Sequence, residues 1–369
     1  MYWNFLFTLL LLKLTTGLLA DSMTLENTHK IKVLHLTFHK GCQKEIEGVA
    51  KELSLDLETW FIPDLPLQFF DGASKGNCLY NMGHKRAENV WQLHKEFFDR
   101  FDVIITSDTA PLSRIFLQGG WTKPLIIWIC NRFDYTSIDA LDCDFPDKEY
   151  YQLFDEATKK SNVRIVAYTL FEHLYARTKG IDTGTLTITP TGIISLEEKS
   201  FIPAYVDKPS TLFLPPYHNE QNFKDALSLL LPIYCGRYNG PTDLVDFKAI
   251  IHFPYAWSNL ALFENISLGT PYFIPSKTLF KELYHSSDYF FTNSVLLLKE
   301  DLFEVSEWYA PDRAEIFVYF DSWEDLKVKL ESLDFIAQHD KIKSYASNHK
   351  IEMLNRWQLL FNSLTPCAK

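Results

Sequence analysis

The sequence predicts an α/β protein built from two Rossmann-like parallel-sheet domains that face a cleft. Three observations carry this expectation. Strand-like and helix-like segments alternate along nearly the whole chain, which is the pattern of parallel sheets. Several strands, "KPLIIWIC" among them, are unbroken apolar runs of the kind buried on both faces. The chain of 369 residues exceeds what one core usually covers, and its 47% hydrophobic content is enough to fill two.

The first domain, placed at 29–195, opens on the strand "KIKVLHLTF". The helix "QKEIEGVAKEL" follows, with Ile46, Val49, Ala50 and Leu53 on one face. "LDLETWFI" is the second strand, and "AENVWQLHKEFFDRF" and "DVIITSD" are the next helix and strand. "APLSRIFLQGG" has proline near its start and glycine at its end, the asymmetry of a helix. After the strand "KPLIIWIC" come "YYQLFDEATKKS", "VRIVAYT", "LFEHLYARTKGI" and a last strand, "TLTITPTG".

A linker rich in charge and proline, "SLEEKSFIPAYVDKPS", precedes the second domain at 196–345. Its strands are read at "TLFLPPY", "LPIYCGRY", "AIIHFPY", "TPYFIPS" and "IFVYFDS". "NFKDALSLL", "TDLVDF", "SNLALFENISLG", "TLFKELYHSS" and "WEDLKVKLESL" fill the gaps between them. A C-terminal amphipathic helix at 346–364 is expected to cross back onto the first domain. Ligands of such sheets bind outside the carboxyl ends of the strands.

Residues 1–20 differ from the rest. An apolar core from Phe5 to Leu12, then Lys13, small residues and Ala20, reads as a cleaved secretory signal, with a short signal anchor as the alternative. The implied location is the ER or Golgi lumen or the exterior, and loose membrane association stays open. A net charge of -11 and the lack of a basic run argue against a nucleic-acid partner. The six cysteines hold no C-x-x-C pair, which argues against structural zinc. Cys78–Cys143 is the expected disulfide because both lie in loop-like sequence, whereas Cys130 and Cys235 end apolar runs and read as buried thiols.

The most informative stretch is "LALFENISLGTPYFIPS". It reads as a helix capped near Ser258, a glycine stop and a strand. Glu264 has apolar or small neighbours one turn away on both sides, with no intrahelical cation. A buried unpaired carboxylate costs several kcal/mol. Glu264 is therefore either solvated or matched by something outside its helix.

Here the sequence resembles the nucleotide-sugar domain of GT-B glycosyltransferases. Ala261, Leu262, Glu264, Gly269 and Pro271 match the family's A-L-x-E-x-x-x-x-G-x-P pattern. The resemblance implies that Glu264 accepts hydrogen bonds from the donor ribose, which suits a charged acceptor. It further implies donor-site roles for Gly236, Arg237, Ser258, Asn259 and Gly269, with Lys248 a weaker basic candidate. Many retaining members carry a second glutamate eight residues earlier, and here that position is Ala256. The stereochemical outcome therefore stays open.

On the acceptor side, His39 follows the first strand and resembles the general base of inverting plant-type members, with Asp108 as its orienting carboxylate. A base of near-neutral pKa suits removal of a hydroxyl proton. Asp108 is equally placed to cap the following helix. Arg132 and Asp134 sit at another strand end. Phe253, Tyr255 and Trp257 read as core aromatics rather than a sugar platform. Asp142 to Asp144 spell D-x-D, but no buried strand leads into them, so they read as an acidic loop and no metal is expected.

The expected activity is transfer of a hexosyl or pentosyl group from a nucleotide-sugar to a carbohydrate, protein or lipid hydroxyl. The nucleotide-sugar is a co-substrate, and no separate cofactor is expected. A catalytically inactive glycan- or nucleotide-binding relative and a sugar-nucleotide epimerase are the alternatives.

Overall fold

The computed structural model describes residues 30–66, 82–135, 147–193, 212–213, 232–235, 240–254, 256–285 and 304–364. The described residues from Ile31 onward form one compact unit with two parallel sheets.

The first sheet holds β1 (Lys32–Thr37), β2 (Asp56–Phe61), β3 (Val103–Asp108), β4 (Leu125–Ile129) and β5 (Val163–Ala167) in the order β2-β1-β3-β4-β5, all parallel. Its helices are α1 (Lys40–Glu52), α2 (His84–Phe98), α3 (Arg114–Gly119), α4 (Lys148–Thr158) and α5 (Leu170–Thr178). Neighbouring residues such as Val33 and Leu34, or Ile126 and Ile127, point to opposite faces and are all buried. That is why these strands read as continuous apolar runs rather than alternating ones.

The second sheet holds β6 (Leu212–Phe213), β7 (Ile233–Tyr234), β8 (Ala249–Ile251), β9 (Tyr272–Pro275) and β10 (Phe317–Phe320) in the order β10-β9-β8-β6-β7, again parallel. It carries α6 (Leu260–Leu268), α7 (Lys277–His285) and α8 (Trp323–Ser332). Two parallel α/β halves are the GT-B-like architecture that the sequence predicts.

Several elements differ from expectation. "APLSRIFLQGG" is a 3-10 turn over Ala110–Ser113 followed by α3, because proline removes the first donor and tightens the entry. "TDLVDF" is a 3-10 helix over Pro241–Asp246. "TLTITPTG" forms no strand, only a single bridge, Ala167 to Thr187, and ends on Gly192 with φ 70°. Around that bridge Leu186 O accepts from Ala167 N–H and Ile188 N–H donates to Ala167 O, while Thr187 and Pro190 accept from the last helix.

That helix, α9 (Phe335–Asn362), starts at Phe335 rather than at 346 and is 28 residues long. Asp334 caps it, its Oδ1 accepting from the N–H groups of Ile336 and Ala337. The first turns lie on the second half, where Lys343 Nζ donates to Ser267 O at 2.6 Å. The later turns lie on the first half. His349 Nε2 donates to Pro190 O at 2.9 Å, Arg356 Nη1 donates to Thr187 O at 2.8 Å, and Trp357 meets Trp128 edge to face. One apolar cluster runs from Val33, Ile126 and Trp128 through Trp357 to Ile250 and Phe273, so the halves share a core.

Candidate functional site

In the first sheet the chain leaves β1 toward β2 on one side and reaches β3 on the other. This reversal leaves a crevice outside the carboxyl ends of β1 and β3, where α/β ligand sites form. His39 follows β1 and Asp108 ends β3. In the second sheet the reversal lies between β6 and β8, and α6 follows β8.

His39 is the N-cap of α1 with an extended backbone, and its Nδ1 accepts from Gly41 N–H at 3.1 Å. This cap starts the helix at Lys40, ahead of the predicted Gln43. A Cβ at Gly41 would come within 3.0 Å of the His39 ring and 3.3 Å of Leu260 Cδ1. The start of α1 and the first turn of α6 therefore touch across the two halves.

Glu264 lies on that side of α6, half-buried. Burial raises its pKa, and the charges of Lys44 and His39 partly offset this. Of the two readings the sequence left open, partial burial near the charges of Lys44 on α1 and of its cap His39 agrees better with the second. Asp108 has a left-handed backbone, φ 71°, uncommon for a residue other than glycine. Burial and the nearby Cys42 charge push its carboxyl up to about 7, against the pull of His39. The 3-10 turn that follows is capped by Thr109 without a side-chain bond, so Asp108 does not act as a helix cap.

Burial works against charge on His39, but hydrogen bonding to Cys42 and the negative charges of Cys42, Asp108 and Glu264 outweigh it and raise its proton affinity. Asp108 acts on His39 through charge. It does not orient the ring through Nδ1, because Gly41 N–H holds that nitrogen. That contact belongs to the neutral ring, with its proton on Nε2; the protonated ring, which the raised affinity favours, cannot accept from Gly41 N–H.

The donor-side candidates divide. Asn259, not Ser258, caps α6, its Oδ1 accepting from Ala261 N–H at 3.0 Å. Asn259 wins because its own N–H is fixed by Glu307 Oε2 at 2.6 Å, which aims its side chain at the first turn. Ser258 lies one residue outside the helix. Gly269 sits at the opposite end of α6 as a left-handed cap, φ 81°, against His339. It ends the helix and is remote from its N-terminus. Gly236 and Arg237 lie outside the described residues, as do Cys78, Cys143, Tyr255 and Asp142 to Asp144. Lys248 precedes β8 at its amino end, over the Phe335 ring, and so faces away from the carboxyl edge.

Other residues have structural jobs. Asp134 accepts from Tyr175 Oη at 3.0 Å and from Tyr151 Oη, and Arg132 lies over the Tyr135 and Tyr175 rings. Trp257 stacks on Phe171 across the halves at 3.8 Å, and Phe253 is buried, so both are core. Cys130 and Cys235 are free thiols, each half-buried. Sequence reasoning missed Glu307, Glu45 and Cys42. Glu45 is buried and accepts from Thr191 N–H at 2.7 Å, tying α1 to the segment that ends the first half. Nothing local marked it, since a glutamate beside Gln43, Lys44 and Glu47 at the start of a helix reads as solvated.

No family model matches the chain, and no curated protein matches it. Solved structures of similar fold include a UDP-glucosyltransferase from Polygonum tinctorium (TM-score 0.46, 8% identity, 92% of this chain and 99% of that one). The S. aureus MnaA complex with UDP gives a TM-score of 0.46 at 12% identity, covering 90% of this chain and 97% of that one. The pneumococcal O-GlcNAc transferase GtfA gives 0.43 at 11% identity, covering 74% and 59%. All three scores lie below one half, so the fold assignment rests on strand order and pairing.

Proposed function

We infer that the protein is a nucleotide-sugar-dependent glycosyltransferase acting on a hydroxyl acceptor. One observation carries this reading. Glu264, in the stretch that resembles the GT-B donor motif, is half-buried at the meeting of the two halves, opposite His39 and Lys44. A carboxylate there suits paired ribose hydroxyls, and the adjacent N-terminal turn of α6 suits an anionic diphosphate. His39 stands at the crevice and would take the acceptor's proton in its neutral form. With its pKa raised to about 9 that form is the minor one near neutral pH, so turnover should rise with pH toward that value.

Calorimetry against a panel of nucleotides and nucleotide-sugars tests the donor site. Glu264→Ala should weaken nucleotide binding by ~1.5–3 kcal/mol, roughly ten- to a hundredfold. His39→Asn keeps a capping side chain, should bind nucleotide like the wild type, and should lose ~100-fold or more in turnover. Nucleotide affinity unchanged by Glu264→Ala would sink the donor-site reading. Conversion of the nucleotide-sugar to an epimer with no acceptor and no net release of nucleoside diphosphate would turn the reading toward an epimerase.

The same proposal places the protein in the secretory pathway, on the strength of residues 1–20. Among the described residues no helix is long and apolar enough to cross a membrane. Intact mass of protein made in a secretory host should show a chain starting near Asp21. A retained Met1 on a membrane-bound product would favour the anchor instead.

A further inference from the structure

Cys42 and Cys130 are distant in sequence and adjacent in space. Cys42 is buried on α1, and Cys130 directly follows β4, half-buried. Their Sγ atoms are 3.8 Å apart, and neither is in a disulfide. Cys130 N–H donates to Asp108 O at 3.3 Å, which fixes the second thiol beside the end of β3. His39, one turn before Cys42, completes the cluster on the crevice side.

We propose that Cys42 and Cys130 form a thiol–disulfide exchange site that reacts with a small disulfide of the glutathione class and closes to an internal disulfide beneath His39 and Asp108. Closing the gap from 3.8 Å to a bonded ~2.05 Å is a short movement of the kind that side-chain rotation supplies. The half-exposed Cys130 is the sulfur an incoming disulfide meets first. Burial and the neighbouring Cys42 push the Cys130 thiol well above the ordinary range, so this is the slow step; the small Cys130 thiolate fraction displaces one glutathione thiolate and forms a mixed disulfide. The Cys42 thiolate then attacks the Cys130 sulfur and expels the second glutathione. Two cysteine thiols lose two electrons and two protons, and one glutathione disulfide becomes two glutathione thiols.

The surroundings favour the second step. Burial alone would raise the Cys42 thiol, but hydrogen bonds with Cys130, His39 and Ser107, together with the His39 charge, pull it below the ordinary thiol range. Oxidation removes one of the groups that raise the proton affinity of His39, so that ring would follow the redox state of the pair.

The test equilibrates the full-length protein with mixtures of reduced and oxidised glutathione, quenches in acid, alkylates the remaining thiols and maps the peptides. The expected result is a Cys42–Cys130 linked peptide, loss of both cysteines from the alkylated pool, and recovery on adding dithiothreitol. Cys130→Ala should abolish the linked peptide. Recovery of both cysteines alkylated from the most oxidising mixture would overturn the proposal, and so would either one linked mainly to another cysteine. The wild-type map decides by itself, whatever the stability of the variant.

Discussion

Glu307 is a carboxyl whose surroundings resist its charge. It is almost fully buried, and its pKa is pushed up to about 8 by burial, against the charge of Arg313 and the hydrogen bond from Asn259 N–H. A carboxyl whose folded pKa lies above its unfolded value stabilises the fold fully below ~4.3 and loses that contribution as pH rises toward the folded value. Each pH unit in that window costs up to ~1.4 kcal/mol. Glu307→Gln keeps an acceptor for Asn259 N–H and removes the titration. Urea midpoints from pH 5 to 8 should therefore fall more steeply for the wild type than for the variant. Parallel slopes would show that the carboxyl is already ionised in the fold. Residues of this kind were not legible in the sequence. Glu264 could be picked out because a local pattern frames it, but Glu307 meets Asn259, and Cys42 meets Cys130, only through the fold.

At the scale of elements, α6 shows what local sequence does and does not fix. Its stop was readable, because glycine takes the left-handed position that closes a helix at little cost. Its start was not, since Ser258 and Asn259 are both capping types and the choice between them depends on Glu307. Gly269 has φ 81°, and a Cβ there would lie 2.3 Å from the His339 ring. Gly269→Ala should therefore destabilise the protein by about 1–3 kcal/mol, through backbone strain and displacement of His339. Chemical denaturation measures this, and a cost within about 0.5 kcal/mol would mean that α9 yields freely. "TLTITPTG" failed as a strand for a related reason. β-branched residues mark an extended chain, but only the neighbouring elements decide whether it has a sheet edge to join.

For the whole molecule, alternation of strand and helix was enough to predict two parallel sheets, because that topology leaves its mark in every βα repeat. The extent of α9 was harder to see. Its first turns, "FIAQHDKIKSYA", carry many polar residues, and their helical state draws on contacts with the second half. Trp357 is fully buried against Trp128 and Phe361. Trp357→Ala should cost ~3–5 kcal/mol, the range for deleting a large buried aromatic. A thermal scan should show one transition at lower temperature. Two separate transitions would mean that the shared core does not couple the halves.

The position of α9 also orders events in time. On the ribosome, the strands of the first half emerge long before Trp357 does. At roughly 5–20 residues per second, the chain between 193 and 357 takes on the order of ten seconds or more to appear. Throughout that interval the Trp128 face of the first sheet lacks its final cover. The nascent half must wait with an apolar surface open, held by the exit-site chaperones or by its own transient packing, until the last helix arrives to close it.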